Sequence, residues 1–269
     1  MAGRLPPGVL PPPAEDAEAE AFAVRLLYLD RYAARDRDGK VAAGLSVLGD
    51  LILGAGFNVS GIDDPGEVER RHFLDSLSLL DLEPVLAAGS LVDIGSGAGL
   101  PALVLALALP EMQISALESR HKKCSFIETA ARILGLSNVT VLCARAEDHG
   151  QGAGRGAYDV AVSRALASLP VVAEYSLPLL RLGGTMVAMK GSVSDQERIE
   201  ASRAAGILGA DGLDEIRLNP FVGAENRWAY VAVKTRPTPA EYPRRPGVPS
   251  KRPLGGEAGS ADSSPDGRL

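Results

Sequence analysis

Apolar residues recur at helical intervals through the first third of the chain. Phe22, Leu26 and Leu29 predict a helix over residues 21–35, and Val41, Leu45, Leu48 and Ile52 predict a second that stops at Gly54 and Gly56. After a loop over 58–65, Val68, Phe73, Leu77 and Leu80 predict a third. From Ser90 the period changes. Short β-branched or apolar runs at 91–94, 113–117, 139–142, 159–163 and 185–189 alternate with longer stretches, of which 100–108 and 121–134 read as helices. This alternation predicts a mostly parallel sheet covered on both faces. Runs at 215–218 and 228–234 predict a terminal hairpin that adds an antiparallel strand, seven strands in all. The expected organisation is a disordered arm over 1–20, a helical layer over 21–89, an α/β domain over 90–235 and a flexible tail over 236–269. Prolines 237, 239, 243, 246, 249 and 253 are expected to keep the tail free of regular structure.

Composition narrows the setting. With 46% hydrophobic and 23% charged residues the chain is expected to be globular, and no apolar run is long enough for a bilayer. No secretory signal is visible, and a monomer is expected. Cys124 and Cys143 lack zinc-ligand spacing or a nearby histidine ligand, which argues against a disulfide scaffold or metal site and for a reducing, cytoplasmic setting. Net charge is −6, but residues 234–253 hold Lys234, Arg236, Arg244, Arg245, Lys251 and Arg252 against Glu241 alone, a local +5. A charge run of this kind is either a solvated tail or a phosphate contact.

The candidate chemistry begins at Asp93-Ile94-Gly95-Ser96-Gly97-Ala98-Gly99-Leu100-Pro101. A strand ends at Ile94, glycines follow at alternate positions, and a helix opens near Pro101, where a missing N–H costs nothing. A dinucleotide fingerprint would place its third glycine at position 100, which is leucine. The D-x-G-x-G-x-G spacing favours S-adenosylmethionine instead. Glu118 ends the second strand, where a carboxylate accepts both ribose hydroxyls, and Glu147 follows the third, where one takes the adenine amino group.

The acceptor of the methyl group is less constrained. After the fourth strand the chain reads Ser163-Arg164-Ala165-Leu166-Ala167-Ser168 rather than the (N/D)PP(Y/F) of exocyclic-amine methyltransferases, and Asn219-Pro220-Phe221 lies in a turn. Both cysteines lie too early to serve as a cytosine-directed nucleophile. The unprotonated N7 of guanine needs neither device and is compatible with these residues.

The glycine loop, Ser163-Arg164-Ala165-Leu166-Ala167-Ser168-Leu169 and Met189-Lys190-Gly191 together resemble the RsmG family, also called GidB. Asn58-Val59-Ser60, Arg71-His72-Phe73-Leu74-Asp75-Ser76 and Tyr242-Pro243-Arg244-Arg245 are similar to its other signatures, so that the likeness spans roughly 45–253. The family pattern more often has Asn-Leu-Thr at 58–60. The resemblance implies a Rossmann-like class I methyltransferase that methylates a guanine N7 in the helix 18 loop of 16S ribosomal RNA, in the small ribosomal subunit. It also implies cofactor contacts from Gly95, Leu100, Ala146, Glu147 and Arg164, with Glu118 at the ribose; Gly97 and Gly99 complete the cradle. No metal is expected. Arg164 and Lys190 are the candidates for acting on the base. Arg71, Lys190, Arg244, Arg245, Lys251 and Arg252 are the candidates for RNA, so charge reversal at Arg244 and Arg245 is expected to weaken RNA binding and spare the cofactor. His72 and Asp75 read as a local pair, His121 and His149 as solvent-facing, and Trp228 as core. The rival readings are a methyltransferase of a small molecule or protein, and an RNA-binding factor without turnover.

Overall fold

The computed structural model describes residues 36, 39–56, 61, 62, 64–221 and 223–256. The predicted helix over 21–35, the Asn58-Val59-Ser60 signature and the last residues from 257 lie outside them. Helix α1 (Lys40–Leu53) starts where the Asp36 carboxylate accepts the N–H groups of Val41 and Ala42, both at 3.0 Å, and buries the predicted Val41, Leu45, Leu48 and Ile52. Such a cap satisfies donors that the first helical turn leaves open.

The third predicted helix is broken into pieces. Helix α2 (Pro65–Val68) passes into a π-helical turn (Glu69–Leu74), a short α3 (Asp75–Leu77) and a 3-10 turn (Ser78–Asp81). The spacing already held the reason. Val68 and Phe73 are five apart, which a π turn brings onto one face and an α turn does not. A further short helix, α4 (Glu83–Leu86), leads into the sheet.

The strands are β1 (Ser90–Ile94), β2 (Gln113–Glu118), β3 (Val139–Cys143), β4 (Tyr158–Arg164), β5 (Leu180–Lys190), β6 (Asp214–Arg217) and β7 (Trp228–Val233). They form one sheet in the order β3-β2-β1-β4-β5-β7-β6, in which β7 runs antiparallel to both of its neighbours and the others are parallel. Side chains alternate faces. Leu91, Val160 and Val162 join a core with α1, α5 (Ala102–Ala108) and α6 (His121–Ile133), while Val92, Ile94 and Ala161 join a second core on the other face. That second core holds residues of α7 (Ala146–Gln151), α8 (Leu169–Ser176) and α9 (Asp195–Leu208). Helices α8 and α9 complete the alternation that the strand pattern implied without delimiting them.

The tail departs from expectation. Prolines do not prevent a short helix, α10 (Val248–Lys251), because Pro249 falls in its first turn where no N–H is needed. Thr238, Pro243 and Pro249 are buried, so the segment up to residue 256 packs against the core rather than trailing from it. Among the described residues, no helix is long and apolar enough to cross a membrane.

Candidate cofactor and substrate site

The strand order reverses between β1 and β4, and open α/β sheets bind ligands beyond the carboxyl ends of the strands at that place. The chain emerging from β1 is pinned from below. Asp93, fully buried, accepts a hydrogen bond from Ser96 Oγ at 2.6 Å and another from the N–H of Ala102 at 3.1 Å, tying the loop to the start of α5. Burial lifts its pKa to about 6, against the lowering effect of those two donors. Gly95, Gly97 and Gly99 all have positive φ, 72°, 61° and 79°, so the alternate glycines answer a conformation that other residues rarely adopt. The N–H groups of Gly95 and Ser96 both donate to the Leu117 carbonyl, at 2.8 and 3.1 Å, which binds the loop to the end of β2.

Glu118 stands at that end, where its position after the second apolar run puts it. Its carboxylate is buried and accepts from the N–H of Gly97 at 3.0 Å and of Arg120 at 2.8 Å. Ala146 and Glu147 open α7 beyond β3, again in the expected place. Glu147 is 2% exposed, and its Oε1 accepts the N–H of Gly247 from the C-terminal segment at 2.9 Å. No local pattern signals this contact, because it spans a hundred residues.

Two cavities meet at Gly95. The smaller, about 180 Å³, is walled by apolar Ile94, Leu117, Ala144, Ala146 and Leu166, with Ser119, Arg145, Glu147, Tyr175 and Ser250 supplying polar groups. The larger, about 580 Å³, is strongly cationic: Arg71, Lys123, Arg164, Lys190 and Arg227 line it against the one acid Asp75. Of the residues assigned to the cofactor, Gly95 lines both cavities, Gly97, Leu100 and Arg164 the larger, and Ala146 and Glu147 the smaller, whereas Glu118 lines neither. Gly99 serves the turn: a Cβ there would stand 2.5 Å from Leu103 Cδ1.

Arg164 ends β4 and reaches across to the π turn. It donates to the Arg71 carbonyl at 3.1 Å, lies 3.4 Å from His72 Nδ1 and pairs with Asp75 at 3.8 Å. Burial depresses its pKa, with Asp75 and Asp93 opposing. The residue after it, Ala165, carries φ 49°, a strained conformation at the cavity wall. Asp75 is shared with Arg227, whose Nε lies 3.1 Å from Oδ1. Burial raises the pKa of Asp75, and the two guanidinium groups oppose it. His72 and Asp75 are thus not a private pair: both face Arg164. Burial, aided by Arg164, drives His72 down to about 4, so that it is neutral at physiological pH.

Other expectations need correction. Lys190 lines the cavity but its ammonium is held by Glu197 at 2.7 Å and the Ala167 carbonyl at 2.9 Å. Arg244 faces inward. Its guanidinium bonds both oxygens of Glu174, a wholly buried carboxylate, at 2.9 Å from Nε to Oε1 and 2.5 Å from Nη2 to Oε2. The charge run therefore divides: Arg244 belongs to the fold, whereas Arg245, Lys251 and Arg252 are exposed. Trp228 is half-buried: it packs against the second core, as expected, and also lines the larger cavity. His149 contacts the Tyr158 hydroxyl at 2.9 Å, and burial lowers its pKa; His121 is exposed but lies 3.3 Å from Cys143 Sγ. Cys124 and Cys143 are bonded to each other, contrary to what their spacing suggested. They are 19 apart, yet the pairing of Glu118 with Cys143 brings the end of β3 beside the start of α6.

Arg227, Lys123, Tyr175 and Ser250 line the two cavities, and the sequence motifs do not point to them. The Arg-Trp that opens β7 was the available signal for Arg227; Tyr175 and Ser250 had none, being joined only by folding.

A seven-stranded sheet of this order with a glycine loop after its first strand, β1, is the Rossmann-like fold of class I methyltransferases. A solved structure of an S-adenosylmethionine-dependent methyltransferase, SibL, in its apo form superimposes with a TM-score of 0.53 at 13% identity, over 82% of this chain and 76% of that one, a likeness of fold. The family described as rRNA small subunit methyltransferase G matches residues 51–214. Proteins named ribosomal RNA small subunit methyltransferase G are 47% identical over 74% of this chain and 78% of theirs in Rubrobacter xylanophilus, and 45% identical over 73% and 78% in Deinococcus radiodurans. The chain belongs to this family.

Proposed function

We propose that this chain transfers a methyl group from S-adenosylmethionine to N7 of a guanine in the helix 18 loop of 16S ribosomal RNA, in the cytoplasm. The observation that carries the reading is the pair of cavities joined at Gly95, one small with apolar walls and a polar rim that includes the Glu147 carboxylate, the other large and cationic. A flat base fits the first. The second has room for the methionyl end and a target nucleotide together. The cradle also fits the cofactor locally, because φ of 72° at Gly95 and 61° at Gly97 excludes side chains where the backbone must approach it. Glu118 is assigned to the ribose, Ala146 and Glu147 to adenine, and Gly95, Gly97 and Leu100 to the bend between the cavities.

When bound, the cofactor supplies a methyl carbon activated by a sulfonium. The protein's part is alignment and field. A guanine N7 carries no proton, so no general base is required. The larger cavity agrees with that, since its acid, Asp75, is tied to Arg227 and Arg164, and His72 is buried beside it. Arg164 and Arg227 present guanidinium donors on the cavity wall that can hold a base carbonyl and so orient N7 without moving a proton; since the charge that develops on the base is positive, their part is positioning. Lys190, held by Glu197, orders the loop after β4 through the Ala167 carbonyl. Arg71, Arg245, Lys251 and Arg252 are the remaining candidates for phosphate.

The test is chemical scission at N7-methylguanine in small-subunit RNA from cells with and without the gene. Scission in the helix 18 loop should vanish on deletion and return with the wild-type gene but not with Arg164→Ala. Scission persisting unchanged in the deletion strain overturns the assignment.

A further inference from the structure

The C-terminal segment closes the smaller cavity. It is tied down at several points: the wholly buried Glu174 holds Arg244, Gln151 Nε2 donates to the Pro243 carbonyl at 2.7 Å, and Arg155 donates to the Tyr242 carbonyl at 2.6 Å. Beyond these anchors Gly247 gives its N–H to Glu147 Oε1, and Ser250 Oγ stands 2.9 Å from the Tyr175 hydroxyl. Glu147, Tyr175 and Ser250 all line the cavity. Their chemistry forms a pattern. A carboxylate only accepts, and the Gly247 N–H fixes its orientation. The Tyr175 hydroxyl hydrogen-bonds Glu147 as well as Ser250, so within the protein alone both hydroxyl hydrogens are used; an amino group that takes over the carboxylate frees one of them to donate. The reading edge of adenine is the complement: an amino donor beside a ring-nitrogen acceptor. Hypoxanthine reverses that order, setting its carbonyl against the carboxylate.

We propose that residues 242–250 are the outer wall of the adenine pocket, and that the Tyr175–Ser250 hydroxyl pair is the donor that, opposite Glu147, selects adenine. This rests on the cofactor reading given above.

Calorimetry on the full chain with S-adenosylhomocysteine and S-inosylhomocysteine, for wild type, Tyr175→Phe and Ser250→Ala, tests it. Each variant should bind the adenosyl compound about fivefold more weakly, the loss of one neutral hydrogen bond. Each should also lose about the same factor in preference over the inosyl compound. Hydrogen exchange over 242–250 in the wild type should slow when S-adenosylhomocysteine is added. A variant that merely loosens the wall weakens both compounds alike; an unchanged preference ratio therefore overturns the role of the hydroxyl pair. If the wild type binds S-adenosylhomocysteine without protecting 242–250, the wall is wrong and the cofactor reading stands. If the wild type binds none, both fall.

Discussion

Arg244 shows how folding reassigns a residue. In sequence it belongs to a basic run, and phosphate is the natural partner for such a run. In the structure it neutralises Glu174, whose side chain is 0% exposed. Removing one member of a buried pair strands the other, at a cost of about 3–5 kcal/mol. Arg244→Ala should therefore lower the urea midpoint sharply and weaken cofactor binding with it, because the wall of the smaller cavity hangs on this anchor. Replacing both residues by apolar ones of similar volume should restore most of the stability. Loss of RNA affinity with stability intact would return Arg244 to the phosphate contacts. Glu69 makes a second case. Burial raises its pKa from 4.5 to about 7. The folded state thus holds a proton that the unfolded chain releases above 4.5, and stability falls as pH rises from there through about 7. Glu69→Gln should remove that fall, seen as a higher Tm above pH 7 and little change near 4.5. His72, lowered to about 4, works in the opposite sense, its contribution present above 6.5 and lost as pH falls towards 4. Buried neighbours in the π turn therefore offset one another in mildly acid solution.

At the scale of the elements, the glycine loop is where local chemistry and function coincide most closely. Gly95→Ala would force a Cβ residue to φ 72°, and its Cβ would stand 2.5 Å from Leu166 Cδ1. Leu166 can turn aside, so backbone strain accounts for most of the cost, about 1–3 kcal/mol. The expected outcome is a modest drop in Tm with S-adenosylhomocysteine affinity reduced far more, read by calorimetry; an unaltered affinity would detach the loop from the cofactor. This loop was legible beforehand because its glycines, Asp93 and the start of α5 are contiguous in the chain, although the bonds that hold it to Leu117 and Glu118 come from β2. Strands and the helices read around 41–52, 100–108 and 121–134 were legible for the same reason: periods of two and of three to four are local properties. The π turn was half-legible, in the five-residue step from Val68 to Phe73. What stayed hidden depends on contacts between distant residues. Cys124 meets Cys143 only through the pairing of β2 with β3, and Ser250 meets Tyr175 only once the tail has folded back. Proline content argued for a loose tail, but proline denies a segment regular hydrogen bonding, not side-chain packing.

For the whole molecule, the net charge of −6 conceals a division between edges of the sheet. Cations gather where the strands end: Arg71 and Lys123 at the larger cavity, and exposed Arg245, Lys251 and Arg252 on the segment that walls the smaller one. An acidic protein that approaches a polyanion must do so through such a surface, since elsewhere its own field repels the target. Arg71, with half its side chain exposed and paired with Glu67 only across 3.4 Å, can exchange that partner for a phosphate. Arg164 and Arg227, both tied to Asp75, cannot do so without breaking the wall of the site. Neutralising Arg71, Arg245, Lys251 and Arg252 one at a time should thus leave S-adenosylhomocysteine affinity unchanged. Each should weaken binding to a helix 18 RNA and make the logarithmic salt slope shallower by about 0.7, the contribution of one contact to single-stranded RNA. A residue whose neutralisation leaves that slope untouched makes no phosphate contact, and if all four do so the RNA approaches by another face. Because the readout is a slope rather than an affinity, it separates lost phosphate contacts from a tail that has merely come undone.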